Sequence, residues 1–191
     1  MTSATINRYT PDDEPLWSLL AKQEIGDVIR RRARAADRRD LDLALSCYHP
    51  GATEDHAGFV GPVEEYLQQS PLTQDGPRKA MWHAVFPPLI EVDGVTAAAE
   101  TYVLAAEGVE LDADRRFDMR VGGRYLDRFE HRNGRWAIVH RLLLWDWSRS
   151  EATTAPYWET MGFDPTHLPM GQNGPDDGSY EFFAGGADVR G

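Results

Sequence analysis

Residues 129–147 read FEHRNGRWAIVHRLLLWDW, and this stretch decides the fold. Asn133 and Gly134 stand between two runs that are rich in apolar and aromatic residues. An Asn-Gly pair supplies the positive φ angles that a two-residue hairpin turn requires. The stretch therefore predicts two long antiparallel strands joined by a tight turn.

The middle of the chain repeats this pattern. Four stretches are rich in Val, Ile, Tyr, Phe and Trp and alternate, though imperfectly, between apolar and polar residues: 79–92, 95–107, 114–131 and 135–148. A second turn dipeptide, Asp93-Gly94, lies between the first two. Gly122-Gly123 inside the third stretch indicates a bulge or bend that curls the sheet. We expect an antiparallel, meandering and strongly curved sheet.

The first third of the chain has helical periodicity. Apolar residues recur at spacings of three and four over residues 16–36, which predicts a long amphipathic helix. Asp40 is placed to cap a short second helix that ends before Pro50, and VEEYLQQ at 63–69 predicts a third. Three helices followed by a bent sheet indicate a cone-shaped α+β barrel, in which the helices pack inside a curved antiparallel sheet.

The chain length favours one domain. A chain of 191 residues is long enough for one well-buried core and short for two. We expect a cone domain over residues 1–148, with a polar lead-in at 1–14. Residues 149–191 hold seven Gly and four Pro and predict an irregular C-terminal extension. It would cover the pocket or a neighbouring subunit, although a loosely ordered tail is an equal alternative for its last fifteen residues.

The composition excludes several classes of partner. The 20 Lys and Arg against 31 Asp and Glu give a net charge of −11, which argues against nucleic acid and anionic lipid. No apolar run approaches the ~20 residues that span a bilayer, and the opening residues have no apolar segment of a signal peptide. The lone Cys47 excludes an internal disulfide and fits a reducing compartment. We expect a cytoplasmic protein.

One carboxylate stands out in the first helix. Asp37 follows Ala33 by four residues and Ile29 by eight, which places it on the apolar face. A carboxylate that faces a core needs a hydrogen-bond or cationic partner. The alternative is that Asp37 pairs with Arg38 or caps the turn into the second helix.

Two strand residues could join that carboxylate. His83 shares a strand face with Met81 and Val85, and Arg141 lies on the apolar face of the last strand. Imidazole and guanidinium groups in apolar surroundings need partners. The alternatives are a satisfied core histidine and an ion pair of Arg141 with a buried acid, of which Asp37 is one candidate.

Further polar and aromatic residues are candidates for ligand contact. We expect either Tyr48 or His56 to line the cavity wall and to hydrogen-bond a substrate hydroxyl. The strand aromatics, which include Trp82, Tyr125 and Trp145, would suit a flat, apolar ligand, and the alternative is that they form core and subunit interface.

Metal and cofactor motifs are missing from the sequence. His49 and His56, with the acids beside them, match no ligand template for a metal ion. Nucleotide-binding glycine motifs, the nucleophile elbow and the HExxH pattern are absent. We therefore expect no metal and no cofactor.

Four segments together resemble a known superfamily: AADRRDLDLALSCYHPGATED at 35–55, GPVEEYL at 61–67, MWHAVF at 81–86 and the stretch at 129–147. In their order and spacing they resemble the SnoaL-like branch of the nuclear transport factor 2-like superfamily over about residues 17–148. That superfamily includes scytalone and bile acid dehydratases, a hexachlorocyclohexane dehydrochlorinase, isomerases and lyases of diaryl compounds. The resemblance implies chemistry on a hydrophobic ring compound without a cofactor.

The resemblance also implies roles for four residues. His83 would be the general base, Asp37 would orient it, and Arg141 would assist a leaving group or an oxyanion. Arg32 stands where relatives have Lys or Tyr and would bind a phenolate, a carboxylate or an oxyanion. The implied activity is a dehydratase or a retro-aldol-type C–C lyase acting on a hydroxylated aromatic or polycyclic molecule, with an isomerase as a further option.

A non-catalytic reading stands beside this one. The same superfamily contains the small subunits of ring-hydroxylating dioxygenases and simple binding modules. In that case Asp37, His83 and Arg141 would form a buried ion-pair network. For an enzyme the resemblance implies a homo-oligomer, a trimer or a dimer, whereas a dioxygenase-type subunit would assemble with a larger partner.

Overall fold

The structure of the protein is a computed structural model, which describes residues 14–70, 78–112, 115–152, 161–162, 164 and 170–185. Its helices are α1 (Glu14–Asp37), α2 (Leu41–Ser46), α3 (Val63–Gln69) and α4 (Gly178–Phe183). Its strands are β1 (Tyr48–His56), β2 (Phe59–Pro62), β3 (Arg78–Val85), β4 (Leu89–Asp93), β5 (Thr96–Glu110), β6 (Arg116–Arg132) and β7 (Arg135–Ala152). None of the helices among these residues is long and apolar enough to cross a membrane.

The three predicted helices are confirmed, each within a residue or two of its expected ends. The N-cap of α2 is also as predicted, since the Asp40 carboxylate accepts the backbone N–H of Leu43 at 2.9 Å. α1 ends at Asp37, and the chain turns there through Arg39, whose φ is +51°. This turn leaves Asp37 as the last residue of the helix.

The sheet has seven strands, in the order β2-β1-β7-β6-β5-β3, and β4 also pairs with β5. Two expectations need correction. The stretch 79–92 forms two strands instead of one, because the backbone leaves the ladder at 86–88, where Pro87 and Pro88 lack an N–H group. The sheet is also not wholly antiparallel, because β1 runs parallel to β7. The connection from β2 through α3 to β3 also crosses from one edge of the sheet to the other, which a meander does not contain.

The glycine signals in the strands are confirmed. Asn133 and Gly134 have φ angles of +53° and +78° in the turn between β6 and β7. The register between these strands shifts at Gly122/Gly123, and a Cβ at Gly123 would lie 2.4 Å from the carbonyl oxygen of Leu144. Only glycine allows this close approach. The result is the expected mixed α+β fold with a curved, unclosed sheet and few helices.

The core lies between α1 and the concave side of the sheet. α1 contributes Trp17, Ile25 and Ile29, which are buried against Phe129 and Ile138 of β6 and β7. The ring N–H of Trp17 donates to the carbonyl of Gly94 at 2.7 Å and fixes the start of the helix on a hairpin turn. The apolar packing thus places the C-terminal end of α1 beside β3.

The described part of the C-terminal extension, residues 170–185, is more regular than expected. It contains α4, whose N-cap Asp177 accepts the backbone N–H of Ser179. The Tyr180 hydroxyl donates to Asp40 at 2.8 Å, so this part of the extension is anchored beside α1. β7 also continues to Ala152, beyond the expected boundary at 148. The expected cover over the pocket or a neighbouring subunit falls largely on residues 153–160, 163, 165–169 and 186–191, which lie outside those that the structure describes.

Candidate active site

Asp37 and His83 meet where the end of α1 contacts β3. One carboxylate oxygen, Oδ1, lies 2.7 Å from Nδ1 of the imidazole, and the other, Oδ2, accepts the backbone N–H of His83 at 3.1 Å. The two side chains are only 10% and 12% exposed. Two contacts from one carboxylate fix both the position and the ring orientation of His83. The structure thus brings together the two residues that the sequence singled out, and Arg38 is not the partner.

Asn173 of the C-terminal extension supports this pair from outside. Its amide nitrogen donates to the carbonyl oxygens of Asp37, at 2.6 Å, and Met81, at 3.0 Å. Its amide oxygen accepts the backbone N–H of Met81 at 3.3 Å. One side chain therefore ties the end of α1 to β3 at the level of the pair. Nothing in the sequence marks this asparagine, because its contacts lie about a hundred residues away.

His83 opens onto a cavity of about 300 Å³ on the concave side of the sheet. The predicted ligand residues His56, Tyr125 and Trp145 also line it. The other lining residues come from the β1–β2 hairpin, α3 and the central strands: Ala57, Phe59, Tyr66, Gln69, Ser70, Val103, Ala105, Glu107, Val121 and Leu143. The cavity is therefore mostly apolar and aromatic, with a few polar groups, as small-molecule sites commonly are.

Three predicted ligand residues lie elsewhere. Trp82 is on the opposite face of β3 from His83 and is 54% exposed, because neighbouring strand residues point to opposite sides of a sheet. Tyr48 and Arg32 are 3% and 5% exposed and do not line the cavity. They form a layer behind its wall. Of Tyr48 and His56, it is His56 that lines the cavity.

Arg141 also needs a correction. It pairs with Asp127 on the neighbouring strand, with Nε and Nη2 each donating to a carboxylate oxygen at 2.7 Å. Both residues are buried, and Arg141 does not line the cavity. The alternative of an ion pair with a buried acid is the observed one, with Asp127 in place of Asp37. Burial opposes its charge, but Asp127 together with Tyr48 and Glu54 raises the pKa of Arg141 well above its usual value.

A second buried network lies beside this ion pair. Nε of Arg32 donates to the Tyr48 hydroxyl at 2.9 Å, and that hydroxyl donates to Oε1 of Glu54 at 2.5 Å. The strand pairing sets Glu54 level with Arg141, which is level with Asp127. Two guanidinium groups and two carboxylates thus share one buried cluster. Their charges balance, as a low-dielectric interior requires.

Three titratable groups of the cavity wall, His56, Tyr66 and Tyr125, are held in their neutral forms. Burial lowers the pKa of His56, although Glu54 partly opposes the shift. Burial also raises the pKa of Tyr66 and of Tyr125. Near neutral pH the wall therefore offers an uncharged imidazole and two phenol hydroxyl groups.

Besides Asn173, the sequence analysis missed Glu54 as a fully buried carboxylate, Tyr66 as a wall residue, and Asp127. Asp127 had a usable signal, since it alternates with Tyr125 and Phe129 on an inward face. Tyr66 had none, because a tyrosine in a short helix fits many positions. Among the described residues no group of three or more His, Cys, Asp or Glu side chains is arranged to hold a metal ion.

Residues 17–142 match the family model of the SnoaL-like domain. The chain belongs to the SnoaL-like domain family. The match begins within α1 and ends within the first half of β7, and so includes both Asp37 and His83. No curated protein sequence matches this SnoaL-like chain.

Solved structures show the same fold. A hexachlorocyclohexane dehydrochlorinase from Novosphingobium barchaimii is 15% identical, with a TM-score of 0.59 over 76% of this chain and 99% of that one. A candidate scytalone dehydratase from Novosphingobium aromaticivorans is 15% identical, with a TM-score of 0.59 over 75% and 94%. A nuclear transport factor 2-like protein from Salmonella enterica is 19% identical, with a TM-score of 0.56 over 72% and 94%. At these identities the likeness establishes the fold of the SnoaL-like domain.

Proposed function

We propose that this SnoaL-like domain is a cofactor-independent lyase, either a dehydratase or a retro-aldol-type C–C lyase. Its substrate is a hydroxylated aromatic or polycyclic small molecule. The observation that carries the proposal is the Asp37–His83 pair, with Oδ1 and Nδ1 2.7 Å apart and the imidazole facing a largely apolar cavity.

The geometry of the pair suits a general base. When the Nδ1–H group donates a hydrogen bond to the Asp37 carboxylate, the lone pair of Nε2 remains available to the cavity. The carboxylate then stabilises the imidazolium that forms when Nε2 accepts a proton. A positioned base of this kind contributes typically ~10²–10⁴-fold to the rate.

Two eliminations fit this arrangement. In dehydration His83 removes a proton from carbon, the released electron pair forms a C=C bond, and the hydroxyl on the neighbouring carbon leaves as water after taking up a proton. In retro-aldol cleavage His83 removes the hydroxyl proton, the oxygen forms a C=O bond, and the C–C bond breaks with its electron pair on the departing carbon, which then takes up the proton that His83 removed.

Negative charge that develops on the substrate needs hydrogen-bond donors. Tyr66 and Tyr125 line the cavity, and burial raises the pKa of both, so their hydroxyl groups remain protonated donors. The guanidinium of Arg141 lies 4.2 Å from the centre of the Tyr125 ring. Arg141 therefore supports the negative charge through Tyr125, from behind the wall, instead of contacting the substrate.

The similar structures support a reaction of this type. A dehydrochlorinase and a candidate dehydratase with this fold are both named for eliminations. The aromatic lining, which includes Phe59, Tyr66 and Trp145, supports a ring-bearing substrate, because stacked and edge-on rings bind flat molecules well.

A substrate panel tests the proposal. Purified protein is incubated with diaryl and steroid alcohols, and the products are weighed by mass spectrometry. Loss of water from an intact carbon skeleton marks a dehydratase, and two fragments whose masses sum to that of the substrate mark a C–C lyase. We expect His83→Ala and Asp37→Asn to lose activity on the converted substrate.

The matched control is His140→Gln. His140 lies on β7, hydrogen-bonds Thr53 and does not line the cavity, so this variant should keep its activity. Full activity in both His83→Ala and Asp37→Asn would remove the mechanism. If panel members bind but none of them is turned over, the result would favour the non-catalytic alternative, a ligand-binding or structural subunit.

We also propose that the protein forms a homo-oligomer, a trimer or a dimer. The support is a set of exposed aromatic side chains on the strands, among them Trp82, Tyr102 and Trp147, of the kind that association covers. Light scattering of the purified chain measures the number of copies, and a monomer at all concentrations would contradict this.

A further inference from the structure

A second imidazole faces the same cavity as His83. His56 ends β1, lines the cavity and stacks on Tyr66, with ring centres 4.8 Å apart and planes 28° apart. The centre of the Tyr125 ring lies 6.3 Å from that of the His56 ring, with the two planes tilted by 41°. Two aromatic neighbours therefore hold the His56 ring in one orientation.

This second imidazole also has its own carboxylate. Glu54, two residues earlier on the same face of β1, is fully buried, and its Oε2 lies 3.8 Å from Nδ1 of His56. Both atoms are shielded from solvent, and neither has a hydrogen-bond partner among the described residues. Oε1 is already used by the Tyr48 hydroxyl. Oε2 of Glu54 therefore remains available to interact with the imidazole of His56.

The carboxylate selects the tautomer of the ring. Two unprotonated acceptors facing each other would repel, so Glu54 favours the tautomer that carries its proton on Nδ1. Nδ1 is the nitrogen buried against Glu54, so Nε2 is the one available to the cavity. It keeps its lone pair there and can accept a hydrogen bond.

The surrounding charges keep this imidazole neutral. Burial lowers the pKa of His56, and the guanidinium groups of Arg32 from α1 and Arg141 from β7 lower it further, against the opposing effect of Glu54. Burial raises the pKa of Tyr66, on α3, which keeps that stacked neighbour uncharged. A neutral imidazole of this kind is a proton acceptor at neutral pH.

We propose that His56, oriented by Glu54, is a second proton acceptor of this cavity and receives an aromatic hydroxyl group of the substrate. As charge develops in the reaction, the phenol O–H bond breaks and an Nε2–H bond forms. The electron pair stays on the phenolate oxygen, and the imidazolium is balanced by Glu54. A phenol fits better than an alkyl alcohol because it is the stronger acid. The inference rests on the proposed function, since it takes this cavity as the substrate site.

The first test reads the tautomer directly. Nitrogen-15 NMR of the imidazole rings, with His56→Phe to assign the signals, separates a protonated from an unprotonated ring nitrogen. We expect a protonated Nδ1 and an unprotonated Nε2 for His56 near neutral pH. The opposite tautomer would overturn the proposal, and this measurement needs no Glu54 variant.

The second test compares a phenol with its methyl ether. The probes are 2-naphthol and 2-methoxynaphthalene, which share one ring system and differ in the hydroxyl proton. By calorimetry we expect the wild-type protein to bind 2-naphthol roughly tenfold more tightly, the equivalent of one buried hydrogen bond. We expect His56→Phe, which keeps the stack on Tyr66, to bind both probes equally. Glu54→Gln should lose part of the preference.

Two further variants separate this inference from the proposed function. His83→Ala removes the proposed base but should keep the preference for 2-naphthol, and His140→Gln should keep both the preference and turnover. Equal affinity of the wild-type protein for the two probes, no binding of either, or a preference that survives in His56→Phe would each overturn the second acceptor. The role of His83 is judged separately, by turnover of the substrate panel.

Discussion

Two pairs of ionisable side chains in this protein are built differently. In the Arg141–Asp127 pair both partners are buried, at 2% exposure each, and two parallel hydrogen bonds of 2.7 Å join them. In the Asp37–His83 pair the carboxylate uses both oxygens on His83, but the second ring nitrogen has an open cavity beside it.

The difference separates stability from chemistry. A closed bidentate pair satisfies its charges internally and has little left to offer a ligand. A pair that orients one polar atom and leaves another facing a cavity is prepared for proton transfer. Sequence gives Arg141 and His83 the same description, a polar residue on an apolar strand face, and only the partner tells them apart.

The largest expected effect is on the Asp37–His83 pair, the open pair of the two. His83→Ala should lower kcat on the converted substrate by roughly 10²–10⁴-fold, because it removes the proposed proton acceptor. The thermal midpoint should fall less than in Arg141→Leu, because Asp37 keeps the backbone N–H of residue 83 as a donor and the adjoining cavity can admit water. Circular dichroism melting and product assays measure the two effects, and loss of folding together with activity would assign His83 to the core instead.

The closed pair should show the reverse result. Arg141→Leu leaves Asp127 buried without its partner and should lower the free energy of unfolding by about 3–5 kcal/mol. The double variant Arg141→Leu with Asp127→Leu removes both charges and should be less destabilised than the single one. Urea unfolding measures both, and equal losses in the two variants would mean that the charges are not coupled.

A smaller effect tests how the open pair is held. Asn173→Ala removes the amide that bridges Asp37 and Met81 and should cost about 1–3 kcal/mol, because two carbonyl groups lose a donor. The neighbouring Gln172 has an exposed side chain, so Gln172→Ala is the matched control. We also expect Asn173→Ala to shift the pH profile of kcat, which a purely structural contact would leave unmoved.

The smallest expected effect is on how the free energy of unfolding changes at acidic pH. Burial keeps the pKa of His56 below its ordinary 6.5, so in that range the unfolded chain binds a proton that the folded protein does not. The stability that the neutral His56 contributes is therefore fully present above pH 6.5 and is lost as the pH falls from 6.5 through the lower pKa of the folded protein. Between pH 7 and the folded pKa of His56, the free energy of unfolding should fall less in His56→Phe than in the wild type, as measured by urea unfolding at each pH. The pH dependence that remains in the variant includes His49, whose pKa burial also lowers. An unchanged slope would contradict a neutral His56.

The local parts of the fold were readable from the sequence. The cap at Asp40, the Asn133-Gly134 turn and the bulge at Gly122-Gly123 depend on backbone preferences of a few neighbouring residues. The parallel pairing of β1 with β7 was not readable, because it joins segments about ninety residues apart and leaves no periodic signal in either. The division of 79–92 was signalled only by two prolines, which long alternation concealed.

The site followed the same rule. Periodicity placed Asp37 and His83 on inward faces, and the resemblance to a family suggested that they meet. Neither periodicity nor the resemblance could show that Arg141 forms an ion pair with Asp127, that Tyr48 lies behind the cavity wall, or that Trp82 faces away from the cavity.

The sequence alone determined which segments become helices and strands and which faces they bury, because these follow from short-range periodicity and turn chemistry. Tertiary structure decided which ionisable group pairs with which. That choice depends on distances of a few ångströms between strands remote in the chain, where the low dielectric makes each partner decisive.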